Sequence, residues 1–343
     1  MVDDGRSFEQ TGRDPSPARH LPGSVLHDRI GARRLRRCRR VRPARRPPGA
    51  ATARGTQARR FLRRSPPSTS TALNPAAERA VALLCARPSE TGVIIDYDGT
   101  LAEIVPNPDE AVPLAEAVGV LERLITEFAV VAIVSGRPVA FLVERLGIGP
   151  ALNRLGVYGH YGLEHRSIDG SVAREPLVNN YAAAVAGAIR DARAAVPPGA
   201  FVEDKGLALT LHWRNAPDVA PAAIELAHEI AERHGLAVLQ GKKAIELVLP
   251  VANDKGSVVV SLLSSCSAGC VLGDDVGDIP AFAAVDTLVR SKDFTGVRVA
   301  VSSPEVPDVL VAQADFVVDG PRGALGFLAE LSERASEAER PGV

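Results

Sequence analysis

The chain has 343 residues, of which 46% are hydrophobic and only 4% aromatic, so it can hold one large or two medium domains with aliphatic cores. Its formal net charge of −1 conceals a segregation, because residues 1–73 carry 18 Arg and 5 acidic residues, a net of +13, whereas the remainder carries −14. No apolar run approaches the ~18 residues that a membrane span needs, and no apolar stretch follows the paired arginines Arg33-Arg34, so we expect a cytoplasmic protein without a membrane segment.

Residues 1–73 are rich in Arg, Pro, Gly and Ser and show no hydrophobic period, which predicts a disordered tail. Three interpretations are open, namely a tail that binds nucleic acid, a solvated tail without a role, and a stretch that is not translated because the true start lies downstream. The abrupt change in composition favours the third, although no Met follows Met1. We therefore do not expect nucleic acid as a partner. The last residues, 338–343, are also predicted to be disordered.

Order is predicted to begin at Asn74 and Pro75, which suit the first positions of a helix over 76–86. Apolar runs then alternate with amphipathic stretches, which is typical of an α/β protein with a doubly wound parallel sheet. These predicted elements are strand 93–97, helix 113–127, strand 129–134, helix 138–146 and strand 155–159.

The pattern changes after about residue 170. A predicted Ala-rich helix, 177–195, precedes a strand near 207–213 whose period of two indicates one buried face and one polar face, with His212 and Arg214 on the exposed side. Helix 218–234 and strands near 236–240 and 244–249 follow, as expected of an α-plus-antiparallel unit.

The strand and helix alternation returns after this unit. The predicted elements are helix 255–265, strand 269–273, helix 279–284, strand 297–301, helix 305–312, strand 315–318 and helix 321–336. The sequence therefore predicts a discontinuous core domain, 74–169 and 252–337, with a smaller α/β domain inserted at 170–251.

Two aspartates follow the apolar run Val93–Ile95 directly, in the order Asp96-Tyr97-Asp98-Gly99-Thr100. In an open α/β sheet, ligands bind outside the carboxyl ends of the strands. Side chains at positions i and i+2 of an extended chain point to the same side, so these carboxylates repel each other unless a cation lies between them or one takes a proton. The pair is a candidate for a metal site and for a nucleophile beside an acid.

Three further polar segments fall near the same edge, namely Ser135-Gly136-Arg137, Asp254-Lys255-Gly256 and Gly273–Asp278. Such a set suits phosphoryl transfer to a carboxylate, because that reaction needs a nucleophile, a proton donor and cations around the phosphate oxygens. Mg²⁺ prefers oxygen ligands and needs only one or two carboxylates beside the phosphate.

The four segments, in this order, resemble the motifs of the haloacid dehalogenase superfamily. The resemblance implies that Asp96 is the nucleophile, that Asp98 is the general acid and base, and that Ser135 and Lys255 bind phosphate. It also implies that the inserted domain is the α/β cap of that superfamily.

The same resemblance implies a Mg²⁺ cofactor. Its ligands would be Asp96, Asp274 and the backbone carbonyl of Asp98, with Asp275 or Asp278 as further support around the ion.

A closer resemblance, over roughly residues 76–335, is to the trehalose-6-phosphate phosphatases. It rests on the aspartate motifs and on the segments Ser135–Arg137, Gly159–Glu164, Val202–Gly206, His212–Arg214 and Gly241–Leu247. It implies a small-molecule sugar phosphate as the partner, hydrolysed to trehalose and phosphate in trehalose biosynthesis. Glu203, Lys205 and Glu246 of the cap would bind the sugar, and Arg137 and His160 would approach it from the core. We expect a monomer.

The chain departs from that family's usual pattern at Tyr161, where the family often has His, and at Gly277, Ile279 and Pro280, where it commonly has Thr, Glu and Asp. Three alternatives remain open: a phosphatase for another sugar phosphate such as sucrose phosphate or a monosaccharide phosphate, a phospho-acceptor signalling module, and an RNA-associated protein acting through the Arg-rich tail.

Overall fold

A computed structural model of the chain describes residues 74–338 except residues 168, 242, 292, 304 and 305. The predicted disorder of 1–73 and of the last residues lies outside the described residues, apart from Ala338, which ends the final helix. Within the described ranges, no helix is both long enough and apolar enough to cross a membrane.

The described part of the chain alternates strands and helices. In chain order the strands are β1 Thr91–Ile95, β2 Val130–Val134, β3 Gly156–Gly159, β4 Glu164–Arg166, β5 Val172–Arg174, β6 Phe201–Asp204, β7 Leu209–His212, β8 Ala237–Gln240, β9 Ala244–Val248, β10 Ala268–Gly273, β11 Thr295–Val301 and β12 Phe316–Val318. The α-helices are α1 Pro75–Leu84, α2 Ala117–Glu127, α3 Val139–Arg145, α4 Ala182–Ala195, α5 Ala220–His234, α6 Lys255–Leu263, α7 Ile279–Ser291, α8 Asp308–Gln313 and α9 Gly320–Ala338.

The larger sheet has the strand order β12-β11-β10-β1-β2-β3-β4-β5. The strands from β12 to β3 pair in parallel, and β4 and β5 extend the edge in antiparallel fashion. All five residues of β1 are buried, because Val93 and Ile95 pack towards α1, α2 and α9 whereas Ile94 packs towards α6 and α7. Burial on both faces is what a continuous apolar strand requires, and the predicted doubly wound sheet is confirmed.

The smaller sheet is antiparallel, with the strand order β6-β7-β9-β8. Helices α4 and α5 pack against the face that carries Leu209, Leu211 and Ile245, and these apolar side chains form a core separate from those of the larger sheet. The predicted domain boundaries stay a prediction, and β5, which follows the predicted boundary at residue 170, pairs with the larger sheet.

Several elements differ in extent from the sequence-based expectation. The helix expected from residue 113 begins at Ala117, because Pro113 forms a bridge with Ala102 and the amide of Leu114 donates to the carbonyl of Leu101. Residues Pro176–Tyr181 form a 3-10 helix ahead of α4, and α7 extends seven residues beyond the predicted end at 284.

Candidate active site

The carboxyl ends of three neighbouring strands meet at one edge of the larger sheet. In the register of β1, Ile95 lies opposite Leu272 of β10 and opposite Ile133 of β2. The amide of Asp96 continues the ladder by donating to the carbonyl of Leu272 at 3.1 Å. The parallel pairing therefore brings together the polar residues that follow β1, β2 and β10.

Gly99 shapes the turn after β1. Its φ of 74° lies in the left-handed region, and a Cβ at this position would collide with the carboxylate of Asp274. The turn is closed by the amides of Leu101 and Ala102, which donate to the carbonyl of Tyr97 at 2.8 and 3.0 Å. A glycine here lets the motif after β1 and the motif after β10 approach each other.

Three buried carboxylates form a cluster at this edge. Asp96, Asp274 and Asp278 place carboxylate oxygens within 4.8 Å of one another, and their residues are only 6%, 3% and 1% exposed. Burial raises the pKa of Asp96 and of Asp274 well above the ordinary range, and neighbouring carboxylates raise both further. A cluster of buried oxygen ligands with excess negative charge fits a divalent cation.

Lys255, the first residue of α6, supplies one positive charge to the cluster. Its Nζ lies 2.6 Å from Oδ1 of Asp96 and 2.7 Å from Oδ1 of Asp278. Burial lowers the pKa of this ammonium, but the adjacent carboxylates of Asp278 and Asp96 outweigh that effect and raise it. Asp254 fixes the start of the helix with a capping box, so the ammonium is held from a rigid element.

Asp278 contacts both Lys255 and the backbone of the loop after β10. Its Oδ1 accepts from Nζ of Lys255, and its Oδ2 accepts from the amides of Asp274 and Asp275 at 3.1 and 3.2 Å. Its contacts with Lys255 and with the loop after β10 hold that loop in place. Asp275 is exposed, and its carboxylate accepts from the amide of Gly277.

Arg137 connects the Asp98 carboxylate to the small sheet. Its Nε and Nη2 donate to Asp98 at 2.7 and 2.8 Å, and its Nη1 donates to Oε1 of Glu203 at 2.8 Å. The guanidinium is buried and lies 4.5 Å from the ring centroid of Phe141. Ser135 lies beneath it, with its Oγ accepting from the amide of Arg137 at 3.2 Å.

Four polar side chains of the small sheet form a second cluster opposite the first. Nζ of Lys205 lies 2.8 Å from Oε1 of Glu246 and 4.0 Å from Oε2 of Glu203, and Nε2 of His212 lies 2.8 Å from the same Glu203 oxygen. Burial raises the pKa of Glu203, but the bond with His212 and the charges of Lys205 and Arg137 outweigh it and bring the pKa to about 2.

His160, expected to approach the sugar from the core, is held by contacts with the larger sheet. It is 3% exposed, and its Nε2 faces Glu164 at 4.0 Å. Glu164 is itself held by Nε of Arg174 at 2.7 Å and by the amide of Val139 at 3.1 Å. The imidazole is therefore almost fully buried at the wall of the site, where it lines the cavity.

One cavity of about 660 Å³ joins the two clusters. Eleven of the twelve predicted site residues line it, and the exception is the buried Asp278. They are Asp96, Asp98, Ser135, Arg137, His160, Glu203, Lys205, Glu246, Lys255, Asp274 and Asp275. Apolar side chains such as Ile104, Leu239 and Val276 also contribute to its wall.

Sequence reasoning missed several residues of this cavity, among them Tyr161, Thr210 and Asn253. It also expected His212 and Arg214 on an exposed face, which is wrong, because both line the cavity and the His212 side chain is only 15% exposed. The available signal was the polar side of the strand near 207–213, which faces the cavity.

A parallel sheet with buried aspartates and a lysine at its carboxyl edge is the arrangement of the haloacid dehalogenase-like class of proteins. Within this class, the family model for trehalose-phosphatase matches residues 94–316. The chain belongs to the trehalose-phosphatase family.

Two curated relatives share this similarity. The trehalose-phosphate phosphatase of Mycolicibacterium paratuberculosis (strain ATCC BAA-968 / K-10) is 33% identical over 264 residues, which cover 72% of this chain and 63% of the relative. The trehalose-phosphate phosphatase of Mycobacterium leprae (strain TN) is 30% identical over 272 residues, covering 73% and 59%. The chain thus spans about three fifths of the length of these relatives.

Two solved structures share the fold. The C-terminal domain of the Candida albicans trehalose-6-phosphate phosphatase superposes with a TM-score of 0.62 at 22% identity, covering 74% of this chain and 96% of that domain. A trehalose-6-phosphate phosphatase related protein gives 0.60 at 24% identity, covering 71% and 98%. At this level of identity, the likeness concerns the fold alone.

Proposed function

We propose that this protein hydrolyses trehalose 6-phosphate to trehalose and inorganic phosphate. The observation that carries the proposal is the single cavity, which has Asp96 and Lys255 at one end and Glu203, Lys205 and Glu246 at the other. Membership of the trehalose-phosphatase family supports the same substrate.

At the phosphate end, we assign Asp96 as the nucleophile and Asp98 as the acid and base. A carboxylate oxygen of Asp96 forms a bond to phosphorus while the bond between phosphorus and the sugar oxygen breaks, and Asp98 gives its proton to that leaving oxygen. A water molecule then attacks phosphorus and gives a proton back to Asp98, and the bond from phosphorus to Asp96 breaks. Lys255 and the Ser135 hydroxyl would hold phosphate oxygens.

The acidic cluster suits Mg²⁺, which we propose as the cofactor. The side chains of Asp96 and Asp274 and the carbonyl of Asp98 would hold the ion, with Asp278 as support. The ion would offset the negative charge of the phosphate oxygens and of the carboxylates. Lys255 contributes in the same sense, because it lies against Asp96 and Asp278.

At the sugar end, we propose that residues 170–251 form a cap whose polar cluster binds the disaccharide. The carboxylates of Glu203 and Glu246 accept hydrogen bonds from sugar hydroxyls, and Lys205 orients Glu246. Closing this unit over the site would exclude water from the reacting phosphate. It would also let the enzyme select its substrate by the sugar as well as by the phosphate. Since sugar phosphates are charged and do not cross membranes unaided, we propose a cytoplasmic enzyme, active as a monomer.

The test is phosphate release from a panel of sugar phosphates, compared by kcat/KM, with and without a chelator. We expect trehalose 6-phosphate to be preferred and chelated protein to be inactive until Mg²⁺ is restored. The variant Asp96→Asn should lose turnover by several orders of magnitude while its circular dichroism spectrum and melting temperature stay close to those of the parent. A preference for sucrose phosphate or a monosaccharide phosphate would refute the substrate, and normal turnover by Asp96→Asn would refute the mechanism.

A further inference from the structure

Tyr161 lies in an unusual backbone conformation between the two ends of the cavity. Among the described residues, His160 and Tyr161 are the non-glycine residues with positive φ, at 48° and 57°. A left-handed conformation costs a non-glycine residue roughly 1–2 kcal/mol, so it persists where surrounding contacts hold it. Two such residues in succession indicate that the position of this segment is determined by its neighbours.

Three hydrogen bonds, to two neighbouring segments of the chain, hold this segment. The amide of His160 donates to the carbonyl of Arg137 at 3.0 Å, and the amide of Tyr161 donates to the carbonyl of Ser135 at 3.0 Å. Nδ2 of Asn253, just ahead of α6, donates to the carbonyl of Tyr161 at 2.7 Å. The backbone of Tyr161 is therefore fixed to the loop after β2 and to the linker that precedes Lys255.

The ring of Tyr161 lies close to Gly136. A Cβ at position 136 would be 2.7 Å from the phenol oxygen and 2.9 Å from the ring carbon that bears it, so the glycine leaves the room that the phenol occupies. The backbone contacts and this close approach together direct the hydroxyl towards the small sheet.

The hydroxyl donates to Oε2 of Glu246 at 2.7 Å, across from the larger sheet to the smaller one. The other oxygen of Glu246 accepts from Nζ of Lys205 at 2.8 Å. Burial and the charge of Glu246 raise the pKa of Tyr161 well above its usual value, so the phenol keeps the proton that it donates. Both carboxylate oxygens of Glu246 thus have a fixed partner, one from each side of the cavity.

We propose that Tyr161 is a positioning residue that orients Glu246 for the sugar. This inference rests on the proposed function, in which Glu246 binds the disaccharide. The phenol acts on sugar affinity and has no part in bond making at phosphorus, because its polar contact is with Glu246, whereas Asp96 and Lys255 belong to the other cluster.

The variant Tyr161→Phe removes the hydroxyl and keeps the ring. Loss of one charge-assisted hydrogen bond predicts a rise of about tenfold in KM for trehalose 6-phosphate, with kcat within about twofold of the parent. Hydrolysis of p-nitrophenyl phosphate, which carries no sugar, should stay within about twofold. Tyr158→Phe is the matched control, because it removes a phenol hydroxyl three residues away on β3 and should leave both substrates unaffected.

A double-mutant cycle with Glu246→Ala separates positioning from a general structural role. If Tyr161 acts through Glu246, the double variant should have the same kcat/KM for the sugar phosphate as Glu246→Ala alone, within about twofold. An unchanged KM in Tyr161→Phe, fully additive losses in the cycle, or an equal loss on p-nitrophenyl phosphate would each overturn the proposal.

The proposed function and the role of Tyr161 fail in different measurements. Turnover of trehalose 6-phosphate by the parent protein tests the function. If the panel identifies another sugar phosphate as the substrate, the same cycle run with that compound tests Tyr161, and the three overturning outcomes keep their meaning.

Discussion

Because His160 is buried, we expect the protein to lose stability in mild acid. Burial lowers the pKa of its imidazole to about 4, and the nearby charges of Glu164 and Glu246 only partly offset this, while Lys205 and Arg174 act in the same direction as burial. An unfolded chain binds this proton near pH 6.5, so between pH 6.5 and 4 the unfolded state holds more protons than the folded state. The folded state therefore has its full stability, as far as His160 is concerned, above pH 6.5, and it loses stability as the pH falls towards 4.

The size of the effect follows from the separation of the two pKa values. A difference of about 2.5 units corresponds to on the order of 3 kcal/mol of unfolding free energy, at about 1.4 kcal/mol per unit. His160→Asn removes the titration, and Asn tolerates the left-handed conformation that this position requires. The slope of unfolding free energy against pH should therefore become shallower by about one proton in this window.

Urea denaturation at several pH values from 4 to 7, followed by circular dichroism, measures this slope. His228→Gln, which changes an exposed histidine on α5, is the control and should keep the slope of the parent. Equal slopes for His160→Asn and the parent would refute the assignment of a buried, neutral imidazole.

Two further substitutions test the packing of the site and of the small sheet. Gly99→Ala places a Cβ against the Asp274 carboxylate, so we expect phosphate release to fall at least tenfold and stability to fall by about 1–2 kcal/mol. The control is Gly235→Ala, at a glycine with positive φ and no neighbour within 4 Å. It should lower the melting temperature and leave kcat intact. Equal activity losses in both would contradict the collision argument. Leu211 is 0% exposed, so Leu211→Ala should lower the unfolding free energy measured by urea denaturation by about 2–5 kcal/mol. Leu83→Ala, at a residue that is 53% exposed, should lower it by less than about 0.5 kcal/mol. Similar values for the two variants would contradict the assignment of Leu211 to the core.

The large sheet was predictable because its central strands are continuous apolar runs. Val93, Ile94 and Ile95 are buried on both faces, and such a run has few alternatives once helical stretches flank it. No element was predicted at the antiparallel strands β4 and β5, because their charged residues interrupt any apolar run. Glu164 is nevertheless buried, because Nε of Arg174 on the neighbouring strand donates to it at 2.7 Å. An ion pair between two strands, such as this one, produces no periodic pattern along either stretch of sequence.

For the site too, features along one stretch of sequence were predictable, whereas contacts between distant stretches were not. Polar residues at strand ends indicated the acidic edge, since the carboxyl ends of parallel strands converge. The alternation along β7 indicated a polar face, but a period of two does not distinguish a face in water from a face over a polar cavity. Thr210, His212 and Arg214 lie over such a cavity, and only the packing of the small sheet against the large one reveals it.

Charged side chains of the cavity form a series of ion pairs in which the sign of the charge alternates. Their order is Asp98, Arg137, Glu203, Lys205 and Glu246. Each of these ions is stabilised by a neighbour of opposite sign. The disaccharide of the proposed substrate, which is uncharged, could therefore form hydrogen bonds with these groups without supplying a counter-ion. The central link requires a guanidinium, because two nitrogens of Arg137 bind Asp98 while a third binds Glu203. A lysine ammonium lacks this planar arrangement of donors. In the function proposed above, Arg137 would therefore couple the placement of the sugar to Asp98, the residue that we assign as acid and base.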